Sequence, residues 1–420
     1  MIVLKGGEVL TPAGWEILDV AMVGNRVSAL GTGLSGDSEI EATGCLVGPG
    51  FVDMHTHLRD PGQTWKEDIV TGTRAAAAGG FTAITAMPNT DPALDRVEVV
   101  RSTMSRAAEV GLVRVVPSAA LTVDRAGRQP TNLEALYELG VRLFTDDGDS
   151  VADSVVLEEI MGRIASLPGA FVAQHAEDNT LTRGGQMHDG PMSRQLGVAG
   201  LPTRAETDVV ARDLELVSRT GARYHCQHVS SAETVVLLEE ARRAGLPVTS
   251  EVTPHHLSFD QTRLGDLDPN FKMYPPLRET SDRVALVEAL RTGIIDVVAT
   301  DHAPHRADEK EVGFEAAPRG VIGLETAAAA TWMALSDRDR LFSALSTEPA
   351  RLLGLADHGR PVETGVMANL VVFDPQAPWV VDSFSSKSAN SPYLGQEMTG
   401  RVRATVFEGM VVHSREKEPV

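Results

Sequence analysis

Short apolar runs alternate with longer segments of helical periodicity between about residues 46 and 305. Runs of this kind, bounded by Gly, Pro, Asp or Asn, predict buried strands, and the segments between them predict helices. The eight strand candidates are, in order, GCLVGPGFVDMH, FTAITAMPN, LVRVVPSAA, VRLFTDD, AFVAQHAED, RYHCQHVSS, PVTSEVTPHH and IDVVATDHAPH. The regular alternation predicts an α/β fold with a parallel sheet.

Eight strands with intervening helices fit a closed (β/α)8 TIM barrel, although a doubly wound open sheet gives the same local alternation. The placement of the polar residues favours the barrel. They collect at the C-terminal ends of successive strand candidates, where the active sites of barrels are built. We therefore predict a (β/α)8 barrel domain over residues 51–357.

The two ends of the chain have a different pattern. Residues 1–45 and roughly 362–413 are rich in Val and Gly and show short alternations of apolar and polar positions, which is typical of antiparallel strands. Because the barrel separates these two pieces, we predict one small β-sandwich domain formed from both termini, residues 1–50 and 358–420.

Composition narrows the class of protein. With 420 residues and 42% apolar content, the chain can bury a large core. It has no apolar run long enough to span a membrane and no N-terminal signal pattern, so we expect a cytoplasmic protein without a membrane partner. A net charge of −20 argues against a nucleic-acid partner, because such binding needs clustered Lys and Arg. An anionic small-molecule substrate remains compatible if bound metals or a local Arg line the pocket.

Metal-ligand residue types recur at the strand ends. His55 and His57 are two apart, so in a strand their imidazoles point the same way and can share one metal ion. Later strand candidates end in further ligand types, in this order: Asp146-Asp147, His175, His228 and Asp301. Each residue alone has an ordinary structural explanation, such as a helix N-cap or a hydrogen-bonded His. Together they predict a metal site at the barrel mouth, with the choice between Asp146 and Asp147 left open.

The motif series identifies a family. The chain resembles the bacterial type I dihydroorotases of the cyclic amidohydrolase superfamily over nearly its whole length. The motifs that carry the resemblance are HTHLRDPG, MPNT, FTDDG, HAED, HVSS, FKMYPPLR, ATDHAPH and SKSANSPYLG. The resemblance implies a reversible, zinc-dependent cyclisation of N-carbamoyl-L-aspartate to L-dihydroorotate in de novo UMP biosynthesis.

The resemblance also implies a ligand set. Two Zn²⁺ ions per chain would be bridged by Asp147 and a hydroxide. The other metal ligands would be His55, His57 and Asp301 for one ion, and His175 and His228 for the second. Asp301 would also be the catalytic group that transfers a proton. His255, His256 and His302 are expected to lie outside this ligand set.

Six residues are predicted to bind the substrate. Arg59 lies two residues past His57 and therefore points into the same mouth, where its planar guanidinium suits a carboxylate. The resemblance adds Asn89, Tyr274, His305, Arg319 and Gly320. Two of these positions depart from the family, which usually has Asn at Tyr274 and Phe at Arg319. Both would touch the substrate ring, so the effect on substrate choice is left open.

Three other functions compete with this interpretation. Hydantoinases, dihydropyrimidinases and allantoinases resemble this barrel but generally bridge their metals with a carbamylated lysine, and this chain has no lysine between Lys66 and Lys272. A silent structural partner of aspartate transcarbamoylase typically loses metal ligands, and a base deaminase usually keeps a mononuclear site. A homodimer is expected, and association with aspartate transcarbamoylase is left open. Residues 306–317 and 190–203 are candidate covers over the mouth.

Overall fold

The computed structural model describes residues 1–415, so residues 416–420 of the predicted terminal domain lie outside the described part. The strands are β1 (Ile2–Thr11), β2 (Gly14–Val23), β3 (Arg26–Gly31), β4 (Ser38–Glu41), β5 (Leu46–Pro49), β6 (Phe51–Thr56), β7 (Phe81–Ala86), β8 (Arg114–Ala119), β9 (Leu143–Phe144), β10 (Phe171–Gln174), β11 (Met187–His188), β12 (Gly200–Leu201), β13 (Tyr224–Cys226), β14 (Val248–Val252), β15 (Val297–Val298), β16 (Leu370–Val380), β17 (Glu397–Phe407) and β18 (Met410–Ser414).

The α-helices are α1 (Ile69–Ala78), α2 (Val97–Val110), α3 (Leu133–Glu138), α4 (Ser154–Ile164), α5 (Pro191–Leu196), α6 (Arg204–Thr220), α7 (Ala232–Arg243), α8 (Pro254–Ser258), α9 (Thr280–Thr292), α10 (Ala307–Lys310), α11 (Ala327–Leu335), α12 (Arg338–Phe342) and α13 (Glu348–Leu353). Short 3₁₀ turns occupy Val123–Arg125, Gln261–Leu264 and Pro269–Phe271, and a π-helical turn occupies Ser343–Thr347. Within residues 1–415, none of the helices has both the length and the apolar character needed to cross a membrane.

The predicted barrel is confirmed. The strands β6 to β10 and β13 to β15 form one parallel sheet in the order β15-β14-β13-β10-β9-β8-β7-β6. A parallel bridge between Thr56 and His302 joins the first strand to the chain just after the last, and the His57 amide donates to the His302 carbonyl at 2.9 Å. Each of the eight predicted strand segments contains one strand of this sheet. The short pair β11 and β12 was not predicted.

Both termini contribute to a second sheet, as predicted. Its order is β18-β17-β16-β5-β1-β2-β3, with β4 paired to β1. Strand β5 joins the two ends of the chain, because it pairs in parallel with β1 and antiparallel with β16. The domain limits at residues 50/51 and 357/358 stay predictions.

The first strand candidate covers two strands of the structure instead of one. GCLVGPGFVDMH contains two strands, with β5 in the terminal sheet and β6 in the barrel, and the break falls at Gly50. A Cβ atom at Gly50 would lie only 2.2 Å from Cγ2 of Thr82. Only glycine lets the backbone pass this close to the neighbouring strand as it changes sheets.

Helix α1 shows how the barrel packs against the terminal sheet. Asp68 caps its N-terminus by accepting a hydrogen bond from the Thr71 amide, and the helix then buries a run of four alanines, residues 75–78. These small side chains let neighbouring backbone approach closely. The Thr405 hydroxyl of β17 donates to the Ala77 carbonyl at 2.6 Å, which ties the C-terminal strands to the barrel.

Barrel closure also depends on one buried carboxylate. Asp53 in β6 accepts hydrogen bonds from the Thr300 amide at 3.1 Å and the Thr300 hydroxyl at 2.5 Å, and a third from the His55 amide at 3.0 Å. These bonds connect the first strand to the segment that follows the last one. Removing the carboxylate would leave the His55 and Thr300 amides without this acceptor and the Thr300 hydroxyl with only a long bond, 3.4 Å, to the His55 carbonyl.

We therefore expect Asp53→Ala to lower the free energy of unfolding by about 2–4 kcal/mol, since unsatisfied buried donors are costly. Asp53→Asn keeps one acceptor oxygen and should lose less. Urea unfolding of both variants checks this. A loss below about 1 kcal/mol for Asp53→Ala would show that closure does not depend on these bonds.

Candidate metal centre and active site

Six predicted ligand residues meet at the C-terminal mouth of the barrel. They come from the ends of five strands or from the turns that follow them, and each is at most 7% exposed. They are His55 on β6, His57 just after β6, Asp147 after β9, His175 after β10, His228 after β13 and Asp301 after β15. The closed parallel barrel therefore brings together residues that are up to 246 positions apart in the sequence.

The first group forms around the histidine pair of β6. Nε2 of His55 lies 3.1 Å from Oδ1 of Asp147, and Nε2 of His57 lies 3.6 Å from Oδ2 of the same carboxylate. Asp301 adjoins both histidines, with its Oδ1 atom 2.9 Å from His57 Nε2 and 3.6 Å from His55 Nε2. His55, His57 and Asp147 lie close enough together to share one metal ion, and Asp301 adjoins this group.

A second group shares Asp147 with the first. Nδ1 of His175 lies 2.8 Å from Nε2 of His228, and each of these nitrogens is 3.9 Å from Oδ1 of Asp147. Asp146 faces elsewhere, because its carboxylate accepts hydrogen bonds from the amide and hydroxyl of Thr122. Of the two adjacent aspartates, Asp147 is the one that adjoins both groups.

The chemistry of these atoms fits metal ions. Nε2 of His55, the nitrogen that faces Asp147, is buried and has no hydrogen-bond partner in the described chain. The 3.1 Å approach of His55 to Asp147 lacks the alignment of a hydrogen bond. Unpaired buried nitrogens are costly unless a cation binds them. Neutral imidazoles and carboxylates are the ligands that zinc prefers.

Glu251, which the sequence analysis did not predict, orients the ligands. Its carboxylate lies 2.6 Å from His55 Nδ1 and 3.1 Å from His225 Nε2, and it accepts from the His228 amide at 3.2 Å. Burial opposes ionisation, but charge on His55 and the hydrogen bond from His225 lower the pKa of Glu251 to about 2. A carboxylate on Nδ1 leaves Nε2 free to bind a metal. The signal was a lone Glu inside the apolar run of β14.

The backbone is strained where the site is built. Arg59, His228 and Asp301 have φ values of 56°, 31° and 45°, in the left-handed region that non-glycine residues rarely adopt. Such conformations persist only where the surrounding structure enforces them, and they concentrate at functional sites. Three of them at one barrel mouth mark it as the functional end of the molecule.

A cavity of about 220 Å³ opens beside the metal-ligand groups. All six predicted substrate-binding residues line it, together with every predicted ligand except His55. The lining residues are His57, Arg59, Asn89, Asp147, Gly148, His175, His228, Tyr274, Asp301, Ala303, His305, Arg319 and Gly320. Candidate ligands and candidate substrate contacts therefore share one space.

Arg59 places an uncommitted cation in this cavity. Its Nε atom makes one long hydrogen bond, 3.4 Å, to the Pro304 carbonyl, and no carboxylate in residues 1–415 lies within 4.0 Å of its guanidinium. Burial lowers the pKa of Arg59 to about 10, so the group stays charged near neutral pH. The guanidinium fork is therefore available to an anionic ligand.

Asn89 and His305 are held by neighbouring groups. Oδ1 of Asn89 lies 2.8 Å from His57 Nδ1, and its Nδ2 atom donates to Asp147 at 3.3 Å. His305 lies 3.4 Å from Lys66 Nζ through Nδ1, and 2.9 Å from the Arg319 carbonyl through Nε2. Burial and the adjacent Arg59 and Lys66 lower the pKa of His305 to about 2, so its imidazole is neutral.

Gly320 has a steric reason to be glycine. Its φ is +122°, and a Cβ atom there would lie 2.8 Å from the Cβ atom of Ala303. Asn390 fixes this stretch, since its Nδ2 atom donates to the carbonyls of Gly320 and Ala303 at 3.1 Å, and its Oδ1 atom accepts from the His305 amide at 3.0 Å. The SKSANSPYLG motif thus buttresses the cavity, a role that its sequence position did not reveal.

Two buried lysines anchor the predicted cover at 306–317. Nζ of Lys272 donates to the carbonyls of Phe314, Glu315 and Ala317 at 2.7, 3.0 and 2.7 Å. Nζ of Lys310 donates in the opposite direction, to the carbonyls of Pro269, Lys272 and Pro318 at 2.9, 3.3 and 2.9 Å. Each lysine therefore binds backbone carbonyl groups of the segment that carries the other lysine.

The other histidines near the mouth have separate partners. His302 lies 3.3 Å from Glu67 and accepts from the Gly323 amide at 3.3 Å. His256 contacts the Thr253 hydroxyl at 2.7 Å and the Pro275 carbonyl at 3.1 Å. Neither residue, nor His255, joins a candidate metal group in residues 1–415.

Comparison with known proteins agrees with this arrangement. The family described as Dihydro-orotase-like matches residues 44–234. A dihydroorotase of Mycobacterium leprae is 44% identical over 418 residues, which cover 96% of this chain and 97% of the relative. A dihydroorotase of Listeria innocua is 41% identical over 424 residues, covering 99% of each chain.

The chain belongs to the dihydroorotase family. Among solved structures, L-hydantoinase from Arthrobacter aurescens superimposes with a TM-score of 0.88 at 25% identity, over 100% of this chain and 97% of that one. D-hydantoinase from Bacillus sp. AR9 gives a TM-score of 0.82 at 27% identity, over 99% and 95%. This dihydroorotase-family chain is thus an amidohydrolase with a TIM barrel and a β-sandwich from its termini.

The geometry predicts different effects for the two adjacent aspartates. Asp147→Asn should weaken zinc binding by more than about 100-fold. That factor is the upper range for removing a residue that only hydrogen-bonds to a metal ligand, and loss of a ligand itself should cost more. Asp146→Asn, which alters only the bonds to Thr122, should retain zinc as the unmodified protein does. Zinc content after dialysis against a chelator measures both. Equal retention by the two variants would remove Asp147 from the ligand set.

Proposed function

We propose that this chain is a zinc-dependent dihydroorotase that interconverts N-carbamoyl-L-aspartate and L-dihydroorotate in de novo pyrimidine synthesis. The observation that carries the proposal is the Arg59 guanidinium, which has no carboxylate within 4.0 Å in residues 1–415 and faces the same cavity as the His and Asp groups. Dihydroorotate has a carboxylate beside its cyclic amide. One cavity offers a cation for the first and metal ligands for the second.

The metal assignment follows the two clusters. We assign one zinc ion to His55, His57 and Asp301, a second to His175 and His228, and the bridging position to Asp147. Zinc ions held by these residues would supply a water of lowered pKa and a Lewis acid for the carbonyl of the scissile amide. Burial would raise the pKa of Asp147, but the charge on His55 keeps it well below its ordinary value, so the carboxylate is ionised.

Asp301 is the proposed proton-transfer residue. It lies beside His57 at the cavity wall, within reach of a water that attacks the amide carbonyl. As the carboxylate takes the proton from this water and passes it to the ring nitrogen, the amide bond breaks and the ring opens. The same groups act in reverse order during cyclisation.

The substrate carboxylate binds on the other side of the cavity. Arg59 offers two parallel N–H donors, the geometry that a carboxylate accepts best. Asn89 and His305 flank this position but already contact His57, Asp147 and the Arg319 carbonyl, so they must share or exchange those bonds when substrate enters. Tyr274, Arg319 and Gly320 form the wall beside the ring.

The similarity to L-hydantoinase favours a second candidate, hydrolysis of hydantoins or dihydropyrimidines. Those rings lack a carboxylate and would leave Arg59 buried without a counter-charge, which is unfavourable. A bridging lysine is also excluded, because the chain has none between Lys66 and Lys272. A homodimer, association with aspartate transcarbamoylase and a cytoplasmic location stay predictions.

The purified zinc-loaded protein should open the ring of L-dihydroorotate. The loss of ultraviolet absorbance measures this reaction. Asp301→Asn should reduce kcat by about 10²–10⁴-fold, the usual contribution of a general acid–base group. Asp149→Asn is the matched control, because Asp149 lies near the mouth but pairs with Arg125. Full zinc occupancy without turnover of dihydroorotate by the unmodified protein would refute the proposed function.

Arg59 should decide substrate choice. Arg59→Met should raise KM for dihydroorotate on the order of 10- to 100-fold, the value of a lost charge-assisted hydrogen-bond pair. Arg59→Lys should recover part of this, because it restores the charge but not the fork. Steady-state kinetics with dihydroorotate, hydantoin and dihydrouracil test the point. Faster turnover of the two uncharged rings by the unmodified protein would favour the second candidate.

A further inference from the structure

Tyr274 and Arg319 contact each other at the wall of the cavity. The guanidinium carbon of Arg319 lies 3.9 Å from the centre of the Tyr274 ring, a close cation–π contact. The two residues sit on different segments, one after the turn Pro269–Phe271 and the other after α10.

Both residues reach the same third segment. The Tyr274 hydroxyl donates to the Thr182 hydroxyl at 3.3 Å, and Nη2 of Arg319 donates to the Gly185 carbonyl at 2.5 Å. Thr182 and Gly185 belong to the long connection between β10 and β11. This connection begins just after His175, whose imidazole centre lies 5.0 Å from that of Tyr274.

The backbone on either side of the contact is fixed. Lys272 and Lys310 bind carbonyls of each other's segments, and the Gly320 amide donates to the Lys272 carbonyl at 2.9 Å. These hydrogen bonds hold the backbone segments of Tyr274 and Arg319 next to each other. The stacking of the two side chains therefore does not depend on chance rotation of unrestrained groups.

We propose that Tyr274 and Arg319 act as one positioning unit that docks the 182–185 stretch on the rim of the cavity, so that neither can be exchanged alone. Without the tyrosine, Arg319 has no ring to stack on, and its guanidinium is no longer oriented toward the Gly185 carbonyl. Without the arginine, Tyr274 keeps only one long bond to the stretch. This inference rests on the proposed function for its kinetic consequence, but the docking itself needs no substrate.

A double-mutant cycle tests the unit. Tyr274→Asn and Arg319→Phe should each raise KM for dihydroorotate about tenfold, an ordinary coupling for residues in contact, while kcat changes less. The double variant should have a KM no higher than that of either single variant, because the second substitution removes nothing that the first has left in place. Single effects that multiply in the double variant would show two independent residues and overturn the proposal.

Hydrogen exchange gives a readout without substrate. Peptides covering residues 179–190 should exchange faster in both single variants, because each removes a tether of the 182–185 stretch. Unchanged exchange in both variants would refute the docking role even if KM rises. If the unmodified protein fails to turn over dihydroorotate, the proposed function fails, and exchange alone decides on the unit.

A matched pair elsewhere in the chain provides the control. Arg142 stacks on Tyr137 with the same geometry, 4.0 Å from guanidinium carbon to ring centre, next to the N-terminal end of β9 and away from the cavity. Tyr137→Asn should leave both KM and the exchange of residues 179–190 unchanged. Thermal unfolding of all variants identifies any that fail to fold, and Tyr274→Phe, which keeps the ring, then replaces Tyr274→Asn with a smaller expected effect on exchange.

Discussion

The parallel bridge between Thr56 and His302 closes the barrel, and the site depends on that closure. It brings the end of β6 against the chain just after β15, so that His57 and Asp301, 244 residues apart, lie 2.9 Å from each other. An open sheet would leave these residues on opposite edges. Asp53 reinforces the closure from below by binding Thr300, one residue before Asp301. The same contacts thus hold the fold together and position the candidate metal ligands.

Closure buries several imidazoles and carboxylates, and the surrounding residues supply hydrogen-bond partners for them. Imidazoles and carboxylates packed out of water are unstable unless each polar atom has a partner. Glu251 binds the outward nitrogen of His55, Asn89 binds that of His57, and the inward nitrogens are left for cations. On the substrate side the balance is reversed. Arg59 is a buried cation without a carboxylate within ion-pair distance in the described chain, so that side favours an anion.

The sequence predicted those parts that depend on local pattern. Apolar runs located every barrel strand, and the two-residue spacing of His55 and His57 predicted that both would face the mouth. The change of sheet at Gly50 was not predicted, although Gly48-Pro49-Gly50 interrupts the apolar run there, because the need for glycine comes from close packing against Thr82 on the neighbouring strand. Glu251 and Asn390 were missed for another reason. Each acts through atoms on distant segments, which no local pattern records.

The family resemblance predicted where Tyr274 and Arg319 would lie, but not why these two residue types occur there. The resemblance identified both positions as cavity residues, and both line the cavity. It offered no reason for their identity, because it treated them one at a time. In the structure the two side chains contact each other, and each makes a hydrogen bond to the same loop, at Thr182 and Gly185. A barrel leaves such freedom at its loops because their side chains are not fixed by strand pairing. Residues positioned by barrel closure, such as His57 and Asp301, and residues positioned by loop contacts, such as Tyr274 and Arg319, therefore line the same cavity for different physical reasons.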